Sequence, residues 1–354
     1  MTALISVHGV YKHFSVKRGL LARGPEQYVH AVDGVDLEIA SNEVLALVGE
    51  SGSGKTTLGQ LLLALQEPTS GTVMWQGQPV PTKRGPAKLQ FRRDVQVIFQ
   101  DPYGSLNPRT TVRSIISRPL RLHRIVPRAD ISREVARLLE LVGLRPASAF
   151  IDRFPHEFSG GQRQRIAIAR ALALKPKLIV ADEPVSALDV SVRAQILSLL
   201  TDLRREFGIS MLFTTHDLGV VRYVADRVAV MYLGKIVEVS SSDGFFDGTH
   251  HPYSRMLLGS ALSPNPDAKL AGETFEIIGE PPSPINLPSG CRFRTRCPFA
   301  FDRCVSEEPP LREIGANHLS ACHLSFEELA SKSTELNVTR NIATPCIGNL
   351  PCPR

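Results

Sequence analysis

The chain has 354 residues with a formal net charge of +6, and 43% of its residues are hydrophobic while 21% are charged. This length allows two or three domains, and the composition excludes a fibrous or largely disordered chain. No stretch approaches the ~18 apolar residues that a membrane-spanning helix needs, and the N-terminus has no secretory signal pattern. All six cysteines lie between Cys291 and Cys352. The last hundred residues therefore differ in composition from the rest.

Strand and helix patterns alternate along the first 245 residues, which predicts an α/β fold with a mostly parallel sheet. The expected elements are a half-exposed strand over 35–39, a buried strand Val44–Val48, a helix Thr57–Leu65, a strand Val95–Phe99, helical residues 110–174, a strand Leu178–Ala181, a helix Ser191–Phe207, and strands Met211–Thr214 and Val228–Tyr232. The helical stretch from about 105 to 174 interrupts the alternation, so we expect an inserted helical subdomain there. After about residue 245 the pattern gives way to loops rich in proline and cysteine.

A glycine-rich segment follows the buried strand and precedes the first helix. Residues 49–56 read GESGSGKT and match GxxxxGK[ST] at every fixed position. The glycines allow backbone N–H groups to surround phosphates, and the start of the helix adds its positive dipole. We expect Lys55 to reach the terminal phosphates and Thr56 to hold Mg²⁺. The segment therefore predicts a site for a nucleoside triphosphate.

Two adjacent carboxylates end the buried strand in the segment LIVADEP, residues 178–184. Asp182 stands where P-loop NTPases place an aspartate that holds Mg²⁺. Glu183 follows directly and can polarise an attacking water as a general base. Beside a phosphate-binding loop, this pair predicts hydrolysis of the nucleotide.

A second helix start suited to phosphate lies in FSGGQRQRIAIARALAL, residues 158–174. Ser159 can cap this helix, and two glycines leave its first backbone N–H groups accessible. Two phosphate-facing helix starts in one small chain suggest a nucleotide clamped between two copies of the fold.

Residues 4–245 resemble the ATP-binding subunit of an ABC transporter, in the content and the order of these motifs. The resemblance assigns ATP binding to Phe14, Gly49, Glu50, Ser51, Gly52, Ser53, Gly54, Lys55, Thr56, Thr57 and Gln100. It implies catalytic roles for Glu183, His216 and Lys55, and a Mg²⁺ site formed by Thr56, Gln100 and Asp182. Tyr11 and Tyr28 are alternative aromatic residues to Phe14 for stacking on adenine.

The resemblance also implies contacts between two ATPase subunits. The signature that caps ATP on the opposite subunit would be Ser159, Gly160, Gly161 and Gln162. The loop that crosses the dimer interface would be Ser186, Ala187, Leu188 and Asp189. These residues stand in SGGQ and SALD, and His216 stands in FTTHD.

Four cysteines form a group in the C-terminal region. Cys291, Cys297, Cys304 and Cys322 are separated by five, six and seventeen residues. A cytosolic ATPase keeps its thiols reduced, so we expect no disulfides. The four clustered thiols suggest a metal site or an iron–sulfur cluster, although their spacing is not that of a zinc ribbon. An iron–sulfur cluster, Zn²⁺ and packed free thiols all stay open at this point, and nearby arginines (Arg292, Arg294, Arg296 and Arg303) could offset the charge of a cluster.

Two further segments resemble the ATPases of dipeptide and oligopeptide importers: QDPYGSLNPR (residues 100–109) and HPYSRMLL (residues 251–258). That resemblance implies a [4Fe–4S] cluster bound by the same four cysteines. It also divides the chain into an ATPase domain (1–245), a small cysteine-rich C-terminal domain (246–330) and a tail (331–354). Nickel and glutathione importers share this architecture.

The sequence thus predicts an ATPase that powers import of di- or oligopeptides from the cytoplasmic face of the cell membrane. The implied partners are a second, related ATPase subunit, two transmembrane permeases and an extracytoplasmic peptide-binding protein. A nucleic-acid ATPase is disfavoured because the chain has neither a long coiled coil nor a second cassette, and its basic residues are dispersed. A non-catalytic scaffold is disfavoured by the presence of both Glu183 and His216.

Overall fold

The computed structural model describes residues 3–16, 26–260 and 279–332. The strands are β1 Ala3–Ser15, β2 Tyr28–Ala40, β3 Val44–Val48, β4 Ser70–Trp75, β5 Gln78–Pro79, β6 Val95–Ile98, β7 Leu178–Asp182, β8 Ser210–Thr215, β9 Arg227–Tyr232, β10 Lys235–Ser241, β11 Arg312–Gly315 and β12 His318–Ser320. The helices are α1 Lys55–Leu62, α2 Pro86–Asp94, α3 Pro102–Ser105, α4 Val112–Leu122, α5 Ile131–Leu141, α6 Gly160–Leu172, α7 Val190–Phe207, α8 Leu218–Val224, α9 Ser242–Gly248, α10 Pro252–Ser260 and α11 Asp302–Ser306.

The strands form two sheets. The larger has eight strands in the order β11-β12-β10-β9-β3-β8-β7-β6, and its five strands from β9 to β6 are parallel. The smaller sheet is antiparallel, in the order β2-β1-β4-β5. In the parallel sheet the carboxyl ends of β6, β7 and β8 lie next to one another, which brings the loops after these strands together.

β3 explains why the sequence shows a continuous apolar run. All five of its residues are buried. Leu45 and Leu47 pack with the antiparallel sheet and with Leu58 and Leu61 of α1, whereas neighbouring side chains pack on the opposite face with α8 and α10. Helices or a second sheet thus cover both faces of this parallel strand, as such strands require.

The structure confirms the predicted elements of the parallel sheet, and the bounds of Val44–Val48 agree residue for residue. The first helix begins at Lys55 rather than Thr57 and ends at Leu62. Residues 110–174 contain three α-helices, α4 to α6. They pack in one hydrophobic core, to which α5 contributes Val135, Leu138 and Leu139. The antiparallel sheet was not predicted beyond its β2 strand. That this helical group is a separate subdomain stays a prediction.

The C-terminal region contains more regular structure than the sequence pattern indicated. Beyond residue 245 the structure has α10, α11 and the hairpin β11–β12. β12 pairs with β10 through Ser320 opposite Glu238 and Leu319 opposite Val239, so this region extends the main sheet. The domain limits at 245 and 330 stay predictions, and residues 333–354 of the predicted tail lie outside the described residues. Among the described helices, none has the length and apolar character needed to span a membrane.

Candidate site for nucleotide hydrolysis

The loop between β3 and α1 needs glycine at two positions. Gly49 and Gly54 have φ values of 157° and 111°. A Cβ at Gly49 would lie 2.2 Å from the carbonyl oxygen of Met231, and one at Gly54 would lie 2.1 Å from that of Ala31. Both neighbours are backbone atoms, so no larger residue fits without moving the strands. The loop is therefore wrapped tightly by β2 and β9, while Ser51, Gly52 and Thr56 are exposed on its outer side.

Lys55 is the first residue of α1 and is 6% exposed. Its Nζ donates to the carbonyl oxygens of Gly49 at 2.8 Å and Glu50 at 2.9 Å. Burial lowers the pKa of the Lys55 amine, and the carboxylates of Glu183, Asp182 and Glu50 oppose that shift. The amine is bonded to the loop's own carbonyls, within reach of the space where phosphates would lie.

Asp182 ends β7 and is bound by two hydroxyls. Its Oδ1 accepts from Thr214 Oγ1 at 2.6 Å and from Thr56 Oγ1 at 3.2 Å. Hydroxyl and carboxylate oxygens are hard ligands of the kind that Mg²⁺ prefers. The donor set of Thr56 and Asp182 therefore fits a magnesium ion.

Glu183 is placed between two side chains from the neighbouring strands. Its Oε2 accepts from Gln100 Nε2 at 3.2 Å, and its Oε1 lies 3.4 Å from His216 Nδ1. Glu183 has a positive φ of 44°, and its backbone N–H donates to Thr214 at both O and Oγ1, each at 3.1 Å. The carboxylate is thus fixed at the end of the sheet and is 18% exposed. This geometry suits a group that must meet one water molecule.

The predicted signature forms a capped helix start away from the phosphate loop. Ser159 Oγ accepts from the Gln162 N–H at 3.3 Å, and Gln162 Oε1 accepts from the Ser159 N–H at 3.1 Å, which is a capping box. A Cβ on Gly161 would lie 2.3 Å from Val192 Cγ1, so α6 approaches α7 closely there. Gly160 faces Leu188 of the predicted interface loop. The signature and that loop therefore share one surface.

The interface loop connects this surface to Glu183. Ser186 Oγ donates to the Glu183 carbonyl oxygen at 3.1 Å. Ala187 and Asp189 are exposed, and Val190 at the start of α7 is 80% exposed.

Phe14 lies near the end of β1, with 37% of its surface exposed and Lys12 Nζ 5.1 Å from its ring centre. Tyr11 is engaged elsewhere, since it packs against Gly34 and His13. Tyr28 donates from its hydroxyl to Glu26. The role of Phe14 in adenine stacking stays a prediction.

The four cysteines share one small cavity of about 20 Å³, lined also by Phe293, Phe299 and Leu324. None of them forms a disulfide. Burial raises the pKa of the Cys291 and Cys322 thiols to about 11, and it raises the pKa of Cys297 as well. A positively charged centre among them would be needed to make these thiols thiolates at neutral pH.

Each of the four arginines between the cysteines is bonded to another part of the protein. Arg294 donates to Ser289, and Arg303 pairs with Glu307 at 2.8 Å. Arg292 pairs with Asp33 and Arg296 with Glu50, both on the ATPase side. Arg294 also lines the cavity that the four cysteines share, and a role of these arginines in offsetting the charge of a cluster stays a prediction.

Three side chains that bind the site were missed by sequence reasoning. Thr214 binds the Asp182 carboxylate and the Glu183 backbone N–H, while Tyr253 and Arg296 bind Glu50 from the C-terminal region. A buried threonine in a strand carries no motif of its own. The other two lie about 200 residues or more from the loop, so no spacing rule could connect them to it.

Comparisons with known proteins place this chain among its relatives. A family model described as ABC transporter matches residues 32–186, and one described as oligopeptide/dipeptide transporter, C-terminal region, matches residues 237–304. A putative peptide import ATP-binding protein of Brucella ovis is 48% identical over 91% of this chain and 98% of its own length. A dipeptide transport ATP-binding protein of Haemophilus influenzae is 46% identical over 91% of this chain and 96% of its own.

Solved structures show the same fold. A dimeric ATP-binding cassette in a post-hydrolysis state with ADP and phosphate is 29% identical and has a TM-score of 0.59, over 67% of this chain and 98% of that one. A subunit of a Clostridium perfringens ABC transporter complex is 27% identical with a TM-score of 0.58, over 70% of this chain and 91% of that one. The fold and the site define a P-loop ATPase of the ATP-binding cassette class.

Within that class, the chain belongs to the ABC transporter ATP-binding proteins that have the oligopeptide/dipeptide transporter C-terminal region.

Proposed function

We propose that this chain is the ATP-hydrolysing subunit of an ABC importer of di- or oligopeptides. The ATPase role is supported mainly by the position of the Glu183 carboxylate, which lies between Gln100 and His216. The peptide cargo follows from relatives named as peptide, oligopeptide and dipeptide transport ATP-binding proteins.

In the proposed reaction Glu183 accepts a proton from the water that attacks the γ-phosphate. Lys55 turns from the loop carbonyls to the terminal phosphates, and His216 steadies the charge that develops there. Thr56, Asp182 and Gln100 would hold Mg²⁺, which neutralises phosphate charge when it is bound. Thr214 keeps Asp182 and Glu183 at a fixed separation throughout.

We propose that two ATPase subunits close head to tail on two ATP molecules. The signature at 159–162 would then meet ATP on the partner, and the interface loop at 186–189 would lie between the subunits. The closeness of Gly160 to Leu188 puts the two segments side by side, which supports a shared contact surface. The partner would be a second, related subunit.

The remaining partners would be two transmembrane permeases and an extracytoplasmic peptide-binding protein. The permeases would contact the surface around residues 100–107, where Tyr103 is 53% exposed. This docking would place the chain on the cytoplasmic face of the membrane. Nucleic acid is not a proposed partner.

We propose a [4Fe–4S] cluster for Cys291, Cys297, Cys304 and Cys322. All four cysteines line one cavity and none forms a disulfide, so four thiols are available as ligands at one place. Iron–sulfur clusters accept varied ligand spacing, which supports the cluster, and Zn²⁺ is the alternative.

Transport by the assembled complex tests the proposal. We would purify the chain with its permeases, reconstitute them in vesicles and add the binding protein with labelled peptides, nickel or glutathione. We expect ATP-dependent uptake of peptides and no uptake with the Glu183→Gln chain. Uptake of nickel or glutathione alone would contradict the peptide cargo, and uptake without ATP hydrolysis would contradict the ATPase role.

A further inference from the structure

Two side chains of the C-terminal region bind the phosphate loop at a single residue. The guanidinium of Arg296 forms two hydrogen bonds to the Glu50 carboxylate, with N–O distances of 2.9 and 3.0 Å. The hydroxyl oxygen of Tyr253 accepts from the Glu50 backbone N–H at 2.8 Å. Both the side chain and the backbone of Glu50 are therefore fixed by residues more than 200 positions away.

Arg296 is itself held in place. Its side chain is 3% exposed, and its guanidinium centre lies 5.8 Å from the ring of Tyr232 and 5.9 Å from that of Phe293. A guanidinium that binds a carboxylate through two parallel hydrogen bonds has a defined orientation as well as a strong interaction. Arg296 therefore transmits the position of the C-terminal region to Glu50.

Tyr253 is fixed by a buried carboxylate on β10. Glu238 is fully buried and accepts from the backbone N–H groups of His250 at 2.7 Å and His251 at 2.9 Å. His251 Nδ1 in turn accepts from the Tyr253 N–H at 3.1 Å. The segment His251–Pro252–Tyr253 thereby places the Tyr253 hydroxyl against the phosphate loop.

A third contact supports the other side of the loop. Arg292 donates to the Asp33 carboxylate and to the carbonyl oxygen of Leu233. The next residue, Gly234, donates its N–H to the Ser53 carbonyl oxygen at 2.9 Å. The turn that Arg292 binds is therefore bonded directly to the loop.

We propose that Arg296 and Tyr253 are positioning residues of the ATPase, which act through Glu50 to hold the phosphate loop in its nucleotide-binding conformation. Neither needs to touch ATP. Arg296 also neutralises the Glu50 carboxylate, whose charge would otherwise repel the triphosphate. The inference rests on the proposed function as an ATPase, and it gives the C-terminal region a role in that activity.

The expected effect is on ATP affinity. When the loop is already ordered, none of the binding free energy of ATP is used to order it. The gain in binding free energy is the same for the bound substrate and for the transition state. Loss of such uniform binding raises KM and leaves kcat nearly unchanged. A purely structural role would instead lower the fraction of active protein, and so kcat, without a change in KM.

The test uses the full chain with Mg²⁺ and a fluorescent ATP analogue for Kd, together with steady-state ATP hydrolysis. Arg296→Gln and Tyr253→Phe are each expected to raise Kd and KM about tenfold, with kcat within threefold of wild type. The matched controls are Arg294→Gln, in the same segment but bonded to Ser289, and Tyr223→Phe, an exposed tyrosine. Both controls are expected to stay within twofold.

A double variant tests the route through Glu50. Arg296→Gln should have little further effect in a Glu50→Gln background, because the pair is already broken there. Fully additive effects of the two changes would overturn the proposal, as would an unchanged Kd and KM in Arg296→Gln. If Arg296→Gln does not fold in a thermal melt, Arg296→Lys replaces it, with a smaller rise of KM expected and no rise overturning the proposal. Failure of the wild-type chain to bind or hydrolyse ATP would count against the proposed function instead.

Discussion

Oε1 of Glu183 lies 3.4 Å from Nδ1 of His216, although the two residues are on loops that follow different strands. Gln100 reaches the other oxygen of the same carboxylate at 3.2 Å. β6, β7 and β8 are adjacent and parallel, so their carboxyl ends deliver these three side chains to one point. Strand order therefore assembles the hydrolytic site from three separate motifs.

We expect Glu183→Gln to lower ATP turnover by about 100-fold or more, because general bases contribute typically 10²–10⁴-fold. The amide keeps the size of the side chain and cannot accept the proton. ATP binding should be retained, since the phosphate loop is unchanged. Turnover by phosphate release and Kd by analogue fluorescence check the two parts. The control is Glu313→Gln on exposed β11, which should leave turnover and Kd unchanged. Unchanged turnover in Glu183→Gln would refute the assignment of Glu183 as the base.

Thr214→Val tests whether the Thr214 hydroxyl positions Asp182 and Glu183 for hydrolysis. The buried Thr214 hydroxyl donates to Asp182 at 2.6 Å and accepts from the Glu183 N–H at 3.1 Å. Hydrogen bonds to a charged group contribute about 1.5–3 kcal/mol, so valine should cost ten-fold or more in turnover and raise the Mg²⁺ concentration for half-maximal rate. Thr214→Ser should restore both. Equal activity of the valine and serine variants would contradict this role.

Acid should destabilise the fold through two buried histidines. Burial lowers the pKa of both His250 and His251 to about 4, while unfolded histidine titrates near pH 6.5. Below about pH 6.5 the unfolded state thus binds protons that the folded state does not, and stability falls as the pH drops towards 4. Glu238, whose pKa is held below its usual value mainly by His318 and the His250 N–H against the cost of burial, adds a further loss below about 4.5.

Denaturant unfolding at pH 7.5, 6 and 5 measures this loss, which should be on the order of 2 kcal/mol per histidine between pH 6.5 and 5. His251→Asn keeps an acceptor near the Nδ1 position and cannot take up the proton, so its stability should depend less on pH. His156→Gln, at an exposed histidine, should behave like wild type. An identical pH slope in His251→Asn and wild type would argue against the proposed cause.

Iron content tests the cysteine site. Protein purified without oxygen should absorb near ~400 nm and contain iron and sulfide, and Cys304→Ser or Cys322→Ser should lose both. Cys346→Ser is the control, because Cys346 is outside the proposed ligand set. Zinc in place of iron, with no absorbance in that region, would exclude the cluster.

Sequence alone determined the ATPase half of this protein. Gly49–Thr56, Asp182 and Glu183 each follow a buried apolar strand, and the local chemistry of phosphate and metal binding requires those residue types at those positions. The buried strands were predictable for the same reason, since a parallel strand covered on both faces needs a continuous apolar run. β1, β4 and β5 were not predicted, because they lack the alternation that marks a half-buried strand. β1 buries four consecutive residues, β4 begins with three exposed ones, and β5 has only two residues.

Only the tertiary structure decided how the C-terminal region is used. The sequence indicated an added cysteine-rich module and gave no contact between it and the phosphate loop. The fold joins β12 to β10, buries Glu238 beneath the His250–His251 backbone, and directs Arg296 to Glu50 of the phosphate loop. Contacts between residues 50 and 296 depend on the packing of the whole chain, and no sequence pattern encodes which carboxylate a buried arginine will meet.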